Sequence, residues 1–236
     1  MEYLGEINLD KLEAYKKNLT VISLFTGCGG FDLGMAMAGF GTRVMVEWDK
    51  TCCETLRANI KQFTKDRVPV IIQDDITKVT TEQILKAGDL TIGEATAVIG
   101  GPPCQGFSVA GLRMIDDPRN KLYKEFVRVV KEALPLTFIF ENVPGLVSMA
   151  KGEIIKQVCK DFAESGYDIS WDILNAADYG VPQHRRRVFI IGKRVDALII
   201  NGEKMSYHIG AKPGEIRHPA WFKKRHNLDQ SSLNNF

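Results

Sequence analysis

The sequence predicts an α/β fold with a mostly parallel sheet covered by helices on both faces, and three observations carry that expectation. Short apolar, β-rich runs alternate with helix-length segments whose apolar residues recur every three to four positions. The first run, Thr20 to Phe25, stops at the glycine turn Thr26-Gly27-Cys28-Gly29-Gly30, and the next helix and strand complete the outline of a βαβ unit. Each unusual polar cluster then falls at the carboxyl end of a predicted strand or just before the last one.

A polar lead-in, Leu9 to Lys17, predicts a helix ahead of the first strand. Phe31, Leu33, Gly34, Met35, Met37 and Ala38 suit a short helix closed by Gly39, and Thr42 to Val46 makes a second strand ending at Glu47-Trp48-Asp49. A helix from Lys50 to Ile60 leads to a strand at Val70-Ile71-Ile72, followed by Asp74-Asp75-Ile76. Ala97 to Ile99 is the fourth strand and delivers Gly100-Gly101-Pro102-Pro103-Cys104-Gln105-Gly106-Phe107-Ser108. Lys121 to Leu134 has apolar residues at 122, 126, 127, 129, 130 and 134, a helix with one inward face that Pro135 closes. Thr137 to Phe140 is a fifth strand ending in Glu141-Asn142-Val143. Ile154 to Ser165 is a helix stopped by Gly166, and a strand spans Tyr167 to Leu174. Asn175 to Arg186 is loop-like, and Arg187 to Gly192 is the last strong strand. The expected organisation is a lead-in (1–19), a catalytic and cofactor-binding body (20–193), and a C-terminal tail (194–236) that reads either as a floppy terminus or as a surface that orders against a partner, with the short apolar run Leu198-Ile199-Ile200 inside it.

With 236 residues, 44% of them hydrophobic, the chain buries enough for one large domain. Lys and Arg number 31 against 29 Asp and Glu, so contact with a polyanion must come from a local cluster such as Arg185-Arg186-Arg187. The five cysteines, at 28, 52, 53, 104 and 159, lack the spacing of a zinc site, so no metal is expected and free thiols point to a reducing cytosol. No apolar run reaches signal-peptide or membrane-spanning length, which predicts a cytoplasmic protein with no membrane partner.

Cys104 follows two prolines and precedes Gln105, Gly106 and Ser108, loop chemistry that presents a side chain rigidly, so it reads as a nucleophile. Glu141 ends the next strand, and Gln183, Arg185 and Arg187 precede the last. A thiolate, a carboxylic acid and guanidinium groups in one cleft suit covalent attack on an electron-poor ring, the acid serving a ring nitrogen and arginine stabilising charge on a carbonyl. At the other strand ends, the Phe25 to Gly30 turn lets backbone approach a ligand, and Glu47 is placed for ribose hydroxyls. Trp48 offers an aromatic face to a purine and Asp75 an acceptor to an exocyclic amine, so together they outline an adenosine-shaped site. Taken singly, Trp48 reads equally as core, Asp75 as a turn cap, Glu141 as a cap and the arginines as a solvated face.

The ordered stretches Phe25-Thr26-Gly27-Cys28-Gly29-Gly30, Glu47-Trp48, Asp75-Ile76, Gly101 to Ser108, Asp117-Pro118-Arg119-Asn120-Lys121-Leu122, Glu141-Asn142-Val143 and Gln183 to Arg187 resemble the catalytic domain of the DNA (cytosine-5) methyltransferase family. The resemblance implies a Rossmann-like S-adenosylmethionine-dependent methyltransferase fold. It implies S-adenosylmethionine as methyl donor, seated by Phe25, Gly27, Cys28, Gly29, Gly30, Glu47, Trp48, Asp75, Ile76 and Leu122, with Pro103 near the adenine or the target base. It further implies that Cys104 attacks C6 of a cytosine flipped out of double-stranded DNA, that Glu141 contacts N3 and the 4-amino group, and that Arg185 steadies the base and Cys104. Arg187, Gln183 and Ser108 then help close the catalytic loop, while Gln105, Arg119 and Asn142 belong to the matching motifs on the substrate side. A nucleoid-associated enzyme of a bacterial or phage restriction-modification system is the expected setting. The family pattern continues into a target-recognition region and a G-N-x-V-x-P-like segment that packs on the cofactor site, and neither is recognised after Gly192 or in the first twenty residues. The expectation is therefore a catalytic subunit whose second polypeptide supplies both, with a truncated product as the alternative. A tRNA cytosine-5 methyltransferase of the same fold, or a non-catalytic binding partner, also stays open at this point.

Overall fold

Thr20–Leu24 forms strand β1 in the computed structural model of the protein, which describes residues 19–103, 121–195, 199–200 and 203–204. All five residues of β1 are buried, as a central strand requires when helices lie on both sides of it. Six further strands complete its sheet: β2 (Gly41–Glu47), β3 (Val70–Gln73), β4 (Ala97–Gly100), β5 (Thr137–Asn142), β6 (Tyr167–Asn175) and β7 (Arg186–Arg194). Their order is β3-β2-β1-β4-β5-β7-β6, with β1 to β5 mutually parallel and β7 antiparallel to both neighbours.

The helices are α1 (Gly30–Met37), α2 (Lys50–Ala58), α3 (Thr81–Gly88), α4 (Lys121–Ala133), the single turn α5 (Gly145–Ser148) and α6 (Glu153–Glu164). The period-2 alternation of the strands splits the core between the sheet's faces. Ile22, Leu24, Val98, Phe138 and Phe140 meet Ile84 of α3, Phe126 and Val130 of α4, and Phe162 of α6. On the opposite face Val21, Ala97 and Ile99 pack on Met35 of α1, and Met45 packs with Leu56 of α2 and Phe63. Phe138 stacks on Phe162 with ring centroids 4.1 Å apart and lies opposite Gly192 of β7, where any Cβ would run into its ring.

The expected strands and helices occur within a few residues of their predicted ends. The Lys50 to Ile60 helix stops at Ala58, and a 3-10 turn at Ile60–Phe63 follows. Helix α3 was not anticipated, yet its start is encoded by a capping box in which the Thr80 side chain accepts from the Gln83 N–H and the Gln83 side chain accepts from the Thr80 N–H. Ile199–Ile200 and Glu203–Lys204 pair as a separate two-stranded ribbon, β8 and β9. The Leu9 to Lys17 lead-in and the tail from Lys212 lie outside the described residues. Among those described, no helix is long and apolar enough to cross a membrane.

An acid also sits inside the core. Asp32, in the first turn of α1, is 0% exposed and accepts from Ser23 Oγ of β1 at 2.8 Å and Thr42 Oγ1 of β2 at 3.1 Å. It thereby ties α1, and the glycine turn ahead of it, to two strands. Burial pushes its carboxyl up to about 6 against the lowering effect of those hydroxyls. The fold therefore holds the proton more tightly than the unfolded chain does, so stability falls as pH rises through the window from about 4 to 6. In urea unfolding, wild-type stability relative to Asp32→Asn is expected to drop by about 3 kcal/mol between pH 4 and 7 and to stay level above 7.

Candidate active site

Five parallel strands end at one edge of the sheet, and β7 begins there because it runs the other way: Glu141 and Asn142 of β5 lie opposite Phe189 and Val188. This edge receives every described residue that the sequence singled out, with Leu122 carried by the first turn of α4, half-buried against the core.

The turn after β1 is held by a carboxylate. Glu47, almost fully buried, accepts from the Gly27 N–H at 2.7 Å through one oxygen and from the Trp48 and Asp49 N–H groups at 3.0 and 2.9 Å through the other. The turn needs left-handed backbone at Phe25 (φ 54), Gly27 (φ 58) and Gly29 (φ 85). Phe25 adopts it with a side chain present, a strain of the kind that collects at functional sites. A Cβ at Gly29 would meet the Phe63 ring at 2.6 Å, whereas one at Gly27 or Gly30 would meet nothing within 4 Å, so the turn's backbone is open to a ligand on that side. Trp48 is 75% exposed, which decides against a core role. Asp75 accepts from the Thr77 N–H at 2.9 Å, and that bond first, then the Lys78 charge, holds its carboxyl below the usual range despite some burial. It is thus a turn cap placed just after β3. Ile76 beside it is buried.

The second half of the edge is built around two glycines. A Cβ on Gly100 would collide with the Leu24 carbonyl, and one on Gly101 would stand 2.7 Å from Glu141 Oε2. Asn142, buried, donates from Nδ2 to the Pro102 carbonyl at 3.0 Å and accepts the Val143 N–H at 2.9 Å. The end of β5 thus grips the Gly-Gly-Pro-Pro turn up to the exposed Pro103. Glu141 pairs with Arg187 Nε at 2.9 Å, both side chains about three-quarters buried. Burial raises the Glu141 carboxyl's pKa, and Arg187 and Arg185 only partly oppose it. Arg185 is exposed, its N–H donating to Asn175 Oδ1 at 3.1 Å, and Gln183 is exposed on the same loop. Cys104, Gln105, Ser108 and Arg119 lie outside the described residues.

One residue at this edge escaped the sequence reading. Arg128 of α4 donates through NH2 to the carbonyls of Ile76 at 3.2 Å and Val79 at 2.9 Å, through NH1 to Thr81 Oγ1 at 3.0 Å, and through Nε to Glu125 at 2.7 Å. It binds the Asp75-Ile76 turn to the helix that carries Leu122. The available signal was Glu125-x-x-Arg128-x-x-x-Glu132, a charged pattern that usually marks a solvated helix face.

A family profile described as C-5 cytosine-specific DNA methylase matches residues 19–228. The Type II methyltransferase M.AquIA of Picosynechococcus sp. is 48% identical over an alignment of 184 positions that covers 74% of this chain and 72% of that protein. The Type II methyltransferase M.FnuDI of Fusobacterium nucleatum is 42% identical over 186 residues, 78% of this chain and half of that protein's length. A crystal structure named for a DNA modification methyltransferase encoded within an E. coli prophage superposes with a TM-score of 0.62 at 37% identity, covering 75% of this chain and 47% of that one. Dnmt2 of S. pombe, 20% identical with a TM-score of 0.56, shares the fold.

With the Asp75-Ile76 turn anchored by Arg128, Arg128→Ala is expected to weaken binding of S-adenosylhomocysteine about tenfold by calorimetry, the scale of losing hydrogen bonds from a charged group. Arg128→Lys, which keeps a donor, recovers part of the loss, and an unchanged dissociation constant in Arg128→Ala contradicts the anchoring role.

Proposed function

Since this chain belongs to the C-5 cytosine-specific DNA methylase family, whose methyl donor is S-adenosylmethionine, we propose that it methylates C5 of cytosine in double-stranded DNA within a restriction-modification system, through a covalent bond between Cys104 and C6 of a flipped base. The observation that carries this reading is the shared edge, where the Glu47-held glycine turn and the Glu141–Arg187 pair flank the Gly-Pro-Pro turn that leads directly into Cys104.

The donor set fits the methyl donor. Open backbone at Gly27 and Gly30, an exposed indole at Trp48 and the acids Glu47 and Asp75 suit a nucleoside bearing a charged amino-acid arm, with Phe25, Cys28, Gly29, Ile76, Leu122 and Pro103 completing the cradle. Bound there, S-adenosylmethionine supplies an electrophilic methyl group.

The chain's own residues prepare the base to receive it. Ring carbon C5 of cytosine is a poor nucleophile; addition of the Cys104 thiolate at C6 places electron density on C5. Glu141, with its raised pKa, keeps a proton closer to neutrality than an ordinary carboxylate and delivers it, or a strong hydrogen bond, to N3 as negative charge builds on the ring. Arg187 fixes the orientation of Glu141, and Arg185, exposed at the rim, steadies the base and Cys104. Asn142 holds the turn that presents the nucleophile. Loss of the C5 proton then expels the thiolate and frees the methylated base. Gln105, Ser108, Arg119 and Gln183 serve the DNA side of the loop.

Sequence recognition is supplied by a second polypeptide that also completes the cofactor site. Support comes from the relatives: the chain matches half of the Fusobacterium protein, whereas the M.AquIA polypeptide is close to this chain in length, because the match covers 74% of one and 72% of the other.

Transfer of tritiated methyl groups to duplex DNA tests the chemistry. Cys104→Ser is expected to lose activity by at least about a thousandfold and to form no adduct with 5-fluorocytosine DNA, and Glu141→Gln to lose about a hundredfold or more. Methylation of tRNA in preference to DNA contradicts the substrate assignment. For recognition, the chain alone is expected to bind DNA weakly; robust, site-specific methylation by this polypeptide without a partner sinks the two-subunit arrangement.

A further inference from the structure

Two thiols that the proposed chemistry does not use as nucleophiles meet at the cofactor edge. Cys28, exposed in the glycine turn, has its sulfur 3.7 Å from that of Cys52, in the first turn of α2. Both stand on fixed backbone. The Cys28 turn is held by the Gly27 N–H on Glu47 and the Gly29 N–H on the Thr26 carbonyl, and Cys52 is held by its own N–H on Asp49 Oδ1 at 2.8 Å. The other described cysteines, Cys53 and Cys159, are buried, and Cys53 directs its sulfur to the Glu47 carbonyl.

We infer that Cys28 and Cys52 form an oxidisable dithiol that hydroperoxides convert to a disulfide, and that the disulfide excludes S-adenosylmethionine from the site. The sulfurs need to close from contact to a bond length of about 2 Å, a shift of roughly 1 Å each that side-chain rotation supplies. Cys28 thiolate attacks the hydroperoxide, giving a sulfenic acid while the leaving oxygen takes up a proton and departs as water or an alcohol; the Cys52 thiol then displaces hydroxyl from that sulfur, and its proton leaves with the hydroxyl as one water. Two thiols are oxidised by two electrons and one O–O bond is reduced. Burial first, then the neighbouring Cys28 and Asp49, pushes the Cys52 thiol up to about 12, so the exposed Cys28 is the one that meets the oxidant.

The bond would join the Gly27–Gly30 turn to the segment just after Glu47-Trp48, the two walls between which the cofactor lies. Exclusion therefore rests on the proposed reading of that cradle, while the crosslink itself does not. Because peroxide also threatens Cys104, methylation is an unsuitable readout. The test is peptide mapping of the peroxide-treated protein, combined with calorimetric binding of S-adenosylhomocysteine. A Cys28–Cys52 peptide is expected, with binding at least tenfold weaker and restored by dithiothreitol; Cys52→Ala binds equally well before and after peroxide. Prior saturation with S-adenosylhomocysteine slows the crosslink. Absence of the Cys28–Cys52 peptide, or crosslinked protein with unweakened binding, overturns the inference. If the crosslink forms but the reduced protein binds no S-adenosylhomocysteine, the cradle reading and the exclusion fail together.

Discussion

The close approach of Gly100 to the Leu24 carbonyl is the constraint on which the active edge depends. No side chain fits between the ends of β4 and β1 at that point, and the next residue, Gly101, is equally confined by the Glu141 carboxylate. With both positions stripped of Cβ, the chain leaves β4 tight between its neighbours, and Asn142 captures the Pro102 carbonyl. Two prolines then remove torsional freedom from the approach to Cys104. The Gly-Gly-Pro-Pro turn is thus fixed by steric exclusion first and by a buried hydrogen bond second.

Electrostatics at the same edge work by balance. Glu141 is surrounded enough to favour its neutral form, yet Arg187 lies 2.9 Å away and favours the charged one. Burial outweighs the arginine, so the carboxyl's pKa stays raised while the ion pair fixes its orientation. Glu47 is different. Its two oxygens accept from three backbone N–H groups, so it is a structural acceptor that shapes the glycine turn.

What was legible in the sequence followed physical simplicity. Strands β1, β4 and β5 were plain because apolar β-rich runs bounded by glycine, proline or acids have few other readings. Trp48 and Asp75 were ambiguous because the same residue types serve cores, turns and ligands; exposure takes the first out of the core, and the second caps a turn. Asp32 and Arg128 were missed for a shared reason: a charge in a helical segment normally signals solvent, and only the packing shows one sunk between two strands and the other reaching to two backbone carbonyls. Helix α3 was overlooked although Thr80 and Gln83 spell its cap. The Cys28–Cys52 contact was beyond reach, because the two residues are separated by all of β2.

The reversed direction of β7 has a topological consequence. The strand enters at the catalytic edge with Arg186 and leaves at the opposite one, where Arg194 pairs with Tyr167 at the start of β6. Its nine residues carry the chain about 30 Å away from the chemistry. Arg194 therefore ends the sheet most of a strand length from Arg187, the partner of Glu141.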